Sequence, residues 1–393
     1  MTEQRQANWA EEAVREHAED AAVHDHELAQ YPSGADHPSR EQQVLDRIEK
    51  ARARKPKVKE ERITLAHGAG GKATQSLVEA IFLDSFRNPL LEPLEDAATV
   101  TANGTRLAFT TDSFVVSPLF FPGGDIGDLA INGTVNDLAV SGATPMSLSA
   151  GFILEEGFPV ADLRRIVASM KAAAEAAGVQ IVTGDTKVVE RGKADGCYIN
   201  TAGVGLLDPG RELGIATARP GDAVIVSGPV GEHGMTIMLE RGELDIEAEL
   251  VSDTAPLHEL VATLLEADSG VRAMRDATRG GVATILNEVA QAAGVAVVVN
   301  ESDVPVRAEV RGACELLGID PLYVACEGRL VTIVDGSRTD EALAALRSHP
   351  LGAEAAVIGR IADDPPGLVL LNTGFGGTRI VDLLVGDPLP RIC

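Results

Sequence analysis

The chain has 393 residues, 45% of them hydrophobic and only 3% aromatic, which gives it an aliphatic core and the length of about two or three domains. Its formal net charge is −25, from 34 basic and 59 acidic residues. That balance disfavours a binder of duplex nucleic acid or of an anionic membrane, but it is compatible with a phosphorylated ligand bridged to carboxylates by magnesium.

In chain order, residues 1–62 come first and differ from the rest. They carry 14 acidic and 11 basic residues and end in a basic run interrupted by Pro56. His17, His24, His26 and His37 have no cysteine near them, so a solvated extension, disordered or partly helical, is expected rather than a metal site. The chain opens without a signal-type apolar segment and contains no apolar run of about 18 residues. Cys197, Cys314, Cys326 and Cys393 are too scattered for a disulfide framework or a zinc site. A soluble cytoplasmic protein with reduced thiols is therefore expected.

From Ile63 onward, short strands alternate with amphipathic helices, an α/β (α+β) pattern. Alternating or β-branched runs predict strands over Leu107–Thr111, Gln180–Val182, Cys197–Gly205, Ala223–Ser227, Val295–Val299 and Arg329–Val334. Val160, Leu163, Ile166, Val167 and Met170 share one face of a helix that starts after Pro159 and stops at Gly178. Val282, Ile285, Leu286 and Val289 make a second helical stripe. The turn Leu207-Asp208-Pro209-Gly210 divides the chain into units 63–207 and 208–378, with a tail over 379–393.

Several residues carry chemistry. His67-Gly68-Ala69-Gly70-Gly71-Lys72 is a glycine-rich loop entering a helix, where backbone N–H groups can face a phosphate. It is not a P-loop, because Ala66 and Ala73 stand where that pattern needs Gly and Ser or Thr. Carboxylates recur at strand ends and helix starts: Asp96 before a strand, Asp112 after one, Asp185 in Thr183-Gly184-Asp185-Thr186-Lys187, and Asp276 before a helix. Asp128, Asn132 and Asn136 fall on one helical face, with Asp137 beside them. Each carboxylate alone reads equally well as a cap, but together they favour a shared magnesium site, since a divalent cation offsets the cost of burying like charges. Lys187 adds a positive charge for phosphates. The chain closes on Pro388-Leu389-Pro390-Arg391-Ile392-Cys393, a stiff segment that from Leu384 spans about 30 Å. The terminal carboxylate is expected to raise the Cys393 thiol pKa, with Arg391 offsetting it in part.

Taken together, these stretches resemble the HypE family of hydrogenase maturation factors, carbamoyl dehydratases of the superfamily that includes aminoimidazole ribonucleotide synthetase and selenophosphate synthetase. The matching segments are His67–Lys72, Phe109–Phe114, Phe120–Asp125, Asn136–Gly142, Gly151–Glu156, Val182–Val188, Asp276–Gly281 and Pro390–Cys393. The Pro-Arg-Ile-Cys end distinguishes this family from its superfamily relatives, and only residues 1–62 fall outside the likeness.

The resemblance implies a two-domain aminoimidazole ribonucleotide synthetase-like fold. Its N-terminal domain would bind ATP and form a β-barrel-like homodimer interface, and its C-terminal tail would be mobile. It implies that a HypF-type carbamoyltransferase loads Cys393, that ATP with magnesium drives dehydration of the S-carboxamide to a thiocyanate, and that cyanide passes to iron on a HypC/HypD-type scaffold. On this reading Asp96, Asp112, Asp137, Asp185 and Asp276 hold magnesium. Gly70, Gly71, Lys72, Asn132, Asn136 and Lys187 face the nucleotide, Lys187 also serving catalysis, and Glu327 is the base near the seated cysteine. The alternatives are another superfamily synthetase or kinase acting on a free small molecule, which would tolerate loss of the last residues, and a carrier that binds no ATP.

Overall fold

The computed structural model describes residues 57–58, 60–242, 249–386 and 389–393. The four N-terminal histidines and most of the 1–62 extension lie outside the described residues. Among those described, no helix is long and apolar enough to cross a membrane.

The glycine-rich loop leads into α1 (Lys72–Leu77), which continues through a π-helical turn, Val78–Leu83, into α2 (Asp84–Phe86). The first sheet contains β1 (Ala98–Ala102), β2 (Thr105–Phe114), β5 (Ala143–Glu155), β6 (Gln180–Val189) and β7 (Cys197–Leu207), in the order β1-β2-β7-β5-β6. A two-stranded ribbon, β3 (Phe120–Phe121) with β4 (Gly124–Asp125), follows β2 in the chain. The first sheet is open in the single chain, with β6 on its edge and paired parallel to β5.

Against this sheet packs α3 (Ile126–Val140), in which nearly every residue is buried. Asp125 caps it by accepting the N–H groups of Gly127 and Asp128. A helix apolar all round belongs in the interior, so Asn132, Asn136 and Asp137 on it are polar groups carried into the core. On its far side α4 (Val160–Ala176) buries Ile166, Met170, Ala173 and Ala174, a narrower stripe than its sequence predicts; Val160 and Val167 are exposed.

The second sheet holds β8 (Ala223–Val226), β9 (Val271–Asp276), β10 (Ala296–Asn300), β11 (Leu330–Val334), β12 (Ala356–Ala362), β13 (Val369–Asn372) and β14 (Thr378–Ile380), in the order β14-β13-β10-β12-β8-β11-β9. Only the β10–β13 pair is parallel; the other described pairs in this sheet are antiparallel. The accompanying helices are α5 (Glu232–Glu240), α6 (His258–Glu266), α7 (Gly281–Ala293), α8 (Ala308–Leu317) and α9 (Thr339–Arg347). Val282, Ile285, Leu286 and Val289 of α7 are all buried against the sheet, as their spacing requires.

Two strands run further than the sequence predicts. Asp112 lies inside β2 and Asp185 inside β6, not at their ends. Gly184 allows the extension of β6, because a Cβ there would meet the Ala150 carbonyl oxygen at 2.2 Å. The last residues do not hang free: Leu389, Ile392 and Cys393 are buried in the same core as α3.

Candidate active site

The acidic cluster forms where three carboxylates from different elements meet at one point. Asp96 precedes β1, Asp137 comes from α3 and Asp276 ends β9. One oxygen from each lies within 4.8 Å of the others. Burial and the neighbouring acids push Asp137 and Asp276 well above the usual carboxylate range. Thr110 Oγ donates to Asp137 at 2.7 Å, while Asp276 Oδ2 is buried with no hydrogen-bond partner. Three hard oxygen donors, one of them orphaned, fit a magnesium ion. Arg275 holds Asp96 at 2.5 Å and Glu95 at 3.1 Å, anchoring one side of the cluster.

Next to the cluster is a cleft of about 760 Å³, within the range of small-molecule sites. Gly68, Gly70, Gly71, Asp96, Thr110 and Arg279 form its polar wall, and Leu90, Leu91, Phe109, Ile215 and Leu383 an apolar one. The loop glycines are needed for close approach. A Cβ on Gly70, whose φ is +75°, would lie 2.7 Å from the Arg279 carbonyl oxygen, and one on Gly71 would lie 2.3 Å from that of Leu384.

A smaller cavity of about 120 Å³ shares Gly68 and Arg279 with the cleft and is closed by Arg391, Ile392 and Cys393. Here the Cys393 thiol is a neighbour of the Glu327 carboxyl, which acts on its proton affinity. Burial is the main cause that pushes the thiol pKa far up; Glu327 and Asp112 add to it and Arg279 opposes it. The sequence places Arg391 in that opposing role, but its guanidinium turns away to Asp195 and the Val115 carbonyl. Burial, Asp112 and Asp276 likewise push Glu327 well above the carboxylate range. Glu327 Oε1 is buried without a partner. The backbone N–H of Glu327 is held by Asp253 at 3.0 Å, and Arg329 pairs with both Asp253 and Glu232 behind it.

Residues 94–207 match the N-terminal domain of AIR synthase related proteins and residues 219–370 the C-terminal domain. A carbamoyl dehydratase HypE from Rhodobacter capsulatus is 55% identical over 339 residues, covering 86% of this chain and 99% of its own. The chain belongs to the HypE carbamoyl dehydratases. Among solved HypE structures, one in complex with HypF aligns with a TM-score of 0.75 at 47% identity, over 78% of this chain and 99% of that one. Another, in complex with ATP, aligns with a TM-score of 0.71 at 47% identity, over 84% and 100%.

Within this HypE chain, the residues singled out in the sequence fall into two groups. Asp96, Asp137 and Asp276 meet, and Asp112, 3.9 Å from Arg279, acts on Asp137, Asp276 and Glu327 through its charge. Gly70 and Gly71 line the cleft, but the Gly70 N–H is bound to Thr74 and the Lys72 N–H to the Leu384 carbonyl. Lys72 Nζ pairs with Asp382 at 2.6 Å. Asn136 is fully used as a strut: it donates to the carbonyls of Ala255 and Glu327 and accepts from the Leu257 N–H. Asn132 is buried between Asp128 and Thr254.

The single chain does not bring Asp185 and Lys187 to the cluster. They pair with each other at 2.5 Å on the exposed edge strand β6. The sequence reading missed roles for Arg275, Arg279 and Asp253. For Arg279 the signal was there, an arginine set between Asp276 and Gly280-Gly281 in a turn that opens a helix.

Proposed function

We propose that the chain carries a carbamoyl group on Cys393 and dehydrates it with ATP, giving a thiocyanate that supplies cyanide for hydrogenase iron. As a HypE the chain is an ATP-dependent carbamoyl dehydratase of hydrogenase maturation; the proposal concerns which of its groups act. The observation that carries it is that the terminal cysteine lines a cavity sharing Gly68 and Arg279 with the nucleotide-sized cleft, with Glu327 acting on its thiol.

An amide oxygen is a poor leaving group. Transfer of the γ-phosphoryl group of ATP to the oxygen of the S-carboxamide releases ADP and makes an O-phosphoryl imidate. The first N–H proton is lost as the imidate forms; removal of the second expels phosphate and leaves the S–C≡N group. The substrate oxygen thus ends in phosphate, which keeps one of the two protons while the other is released. Glu327, the buried carboxyl that acts on the Cys393 thiol, would accept the second N–H proton. Arg279 lines both cavities and would face the transferring phosphoryl group. Asp96, Asp137 and Asp276, with Asp112 flanking, would hold magnesium, which when bound offsets the charge of the phosphates and of the acidic cluster.

While seated, the thiol is protonated and buried, which makes it a poor nucleophile and closes it to a second protein. Carbamoylation therefore requires the tail to leave its cavity, and dehydration requires it to return. The complex of a related HypE with HypF supports a HypF-type partner for the loading step; delivery to a HypC/HypD-type scaffold is part of the same proposal.

The proposal includes a homodimer built on β6. That strand is exposed along nearly its whole length, with Val182 and Val188 more than half accessible. A bare strand edge that carries exposed valines invites pairing, and a second copy would supply the matching strand. In such a dimer Asp185 and Lys187 would serve the partner's phosphates.

Replacement of Cys393 by Ala tests the function. Thiocyanate formation should vanish while Mg-ATP binding stays within about a factor of three; thiocyanate formation by the variant would end the proposal.

A further inference from the structure

The terminal segment is seated by four polar contacts to its backbone. The Val115 N–H donates to Cys393 O and the Ser117 N–H to Arg391 O, both at 3.1 Å. Arg241 spans the same place, with Nη2 on Arg391 O and Nε on Ser117 O, each at 2.7 Å. The fourth contact reaches the peptide unit next to the reactive residue: His233 Nε2 lies 2.5 Å from Ile392 O.

His233 is completely buried on α5, with Phe121 packed edge-on at 5.5 Å between ring centroids. Its other nitrogen, Nδ1, lies 2.7 Å from Ser252 Oγ, which also accepts the Thr254 N–H at 3.1 Å. A carbonyl only accepts, so Nε2 carries the hydrogen and Nδ1 accepts the Ser252 hydroxyl proton. Burial pushes the imidazole down to about 4, so the ring is neutral and its tautomer is fixed by its two neighbours. With the tail withdrawn, Nε2–H points into a cavity with its partner gone, which disfavours the open state. Opposing this, Arg391 adopts φ +54°, a left-handed conformation costly for a residue with a side chain. The seated tail is thus held by contacts and strained at its turn.

We propose that His233 is a positioning residue that latches the C-terminal tail, its Nε2–H on the Ile392 carbonyl setting how much of the protein has Cys393 beside Glu327. The use of this latch in catalysis rests on Cys393 being the carbamoyl carrier; the latch itself does not. It recognises the peptide carbonyl and not a side chain, so it holds the tail equally whether the sulfur is free or loaded. Weakening it should favour loading, which needs the tail out, and disfavour dehydration, which needs it in.

The test uses the full chain without nucleotide and follows iodoacetamide labelling of the C-terminal peptide by mass spectrometry. A Cys393→Ser control identifies labelling elsewhere. When the tail exchanges faster than it reacts, the rate reports the open fraction. His233→Leu should raise the Cys393 rate about tenfold, the effect of removing one buried hydrogen bond. Ser252→Ala should raise it by less, and His233→Gln, which keeps a donor, should stay within about twofold of the parent. An unchanged rate in a His233→Leu protein with the parent's melting temperature overturns the latch. If that variant does not fold, Ser252→Ala decides, and an unchanged rate there overturns it equally.

With HypF-type transferase and carbamoyl phosphate present, the latch predicts faster loading and slower dehydration in His233→Leu, a split that a merely structural histidine would not give. Absence of any carbamoyl on Cys393 in the parent, with the labelling shift intact, would overturn the carrier reading and leave the latch standing.

Discussion

The thiol of Cys393 and the side chain of Glu327 are buried neighbours, and the same surroundings raise the proton affinity of both groups. The tail therefore delivers its sulfur to a carboxyl group with a stronger hold on protons than a solvated glutamate. Replacement of Glu327 by Gln keeps the shape and removes the base. The expected loss in the dehydration rate is about 10²- to 10⁴-fold, with loading of Cys393 by the transferase unchanged. Rapid-quench analysis of the loaded protein checks this; an undiminished rate places the base elsewhere.

Asp137 meets Asp96 and Asp276 from a helix that is buried almost throughout. Asp137→Asn should raise the magnesium concentration needed for ATP turnover by at least about tenfold, since one of three hard donors is weakened. In metal-free buffer the same variant should melt at or above the parent temperature, because a buried like charge is gone. Magnesium titration of phosphate release, paired with thermal melts in chelator, separates a ligand from a structural acid. A variant that loses stability without metal yet keeps its magnesium requirement would identify a structural one.

Lys187 and Asp185 sit on the bare edge of β6, away from the cluster of their own chain. If a second copy covers that edge, mixed dimers of Lys187→Ala and Asp137→Asn chains should regain up to about a quarter to a half of parental activity, because one site would receive both intact residues. Copurified, differently tagged chains measure this. No recovery in verified mixed dimers places all the acting residues on one chain.

Asp128, near the start of α3, has its carboxyl raised to about 6 from 3.8, chiefly by burial. Its Oδ2 is buried without a partner. Protonation of a group with a raised folded pKa stabilises the fold, and this contribution is fully present below about pH 4 and lost as the pH rises through 6. Asp128→Asn is neutral throughout, so its stability relative to the parent should improve between pH 4 and pH 7 by about 1–3 kcal/mol. Urea unfolding at several pH values reads this directly, and parallel curves for the two proteins would contradict it.

Much of this site was legible in the chain because its chemistry is local. Asp276 and Arg279 share one turn, Asp137 follows a helical face that already carries Asn132 and Asn136, and the terminal cysteine needs no fold to be noticed. What the chain concealed depends on distance in space. Asn136 is polar, helical and near Asp137, yet its amide bridges loops around Ala255 and Glu327, which no spacing rule reveals. Asp185 lies beside a glycine and looks like the end of a strand, but the strand runs through it along an exposed edge. His233 lies on an apolar helix with no motif around it, and its role becomes visible only when Ile392 is found against its ring.

The most direct measurement is tandem mass spectrometry of the C-terminal peptide after loading with carbamoyl phosphate and transferase, before and after Mg-ATP is added. The account predicts a carbamoyl group on Cys393 that loses the elements of one water only when nucleotide is present. A carbamoylated peptide left unchanged by Mg-ATP while cyanide is still delivered would contradict it.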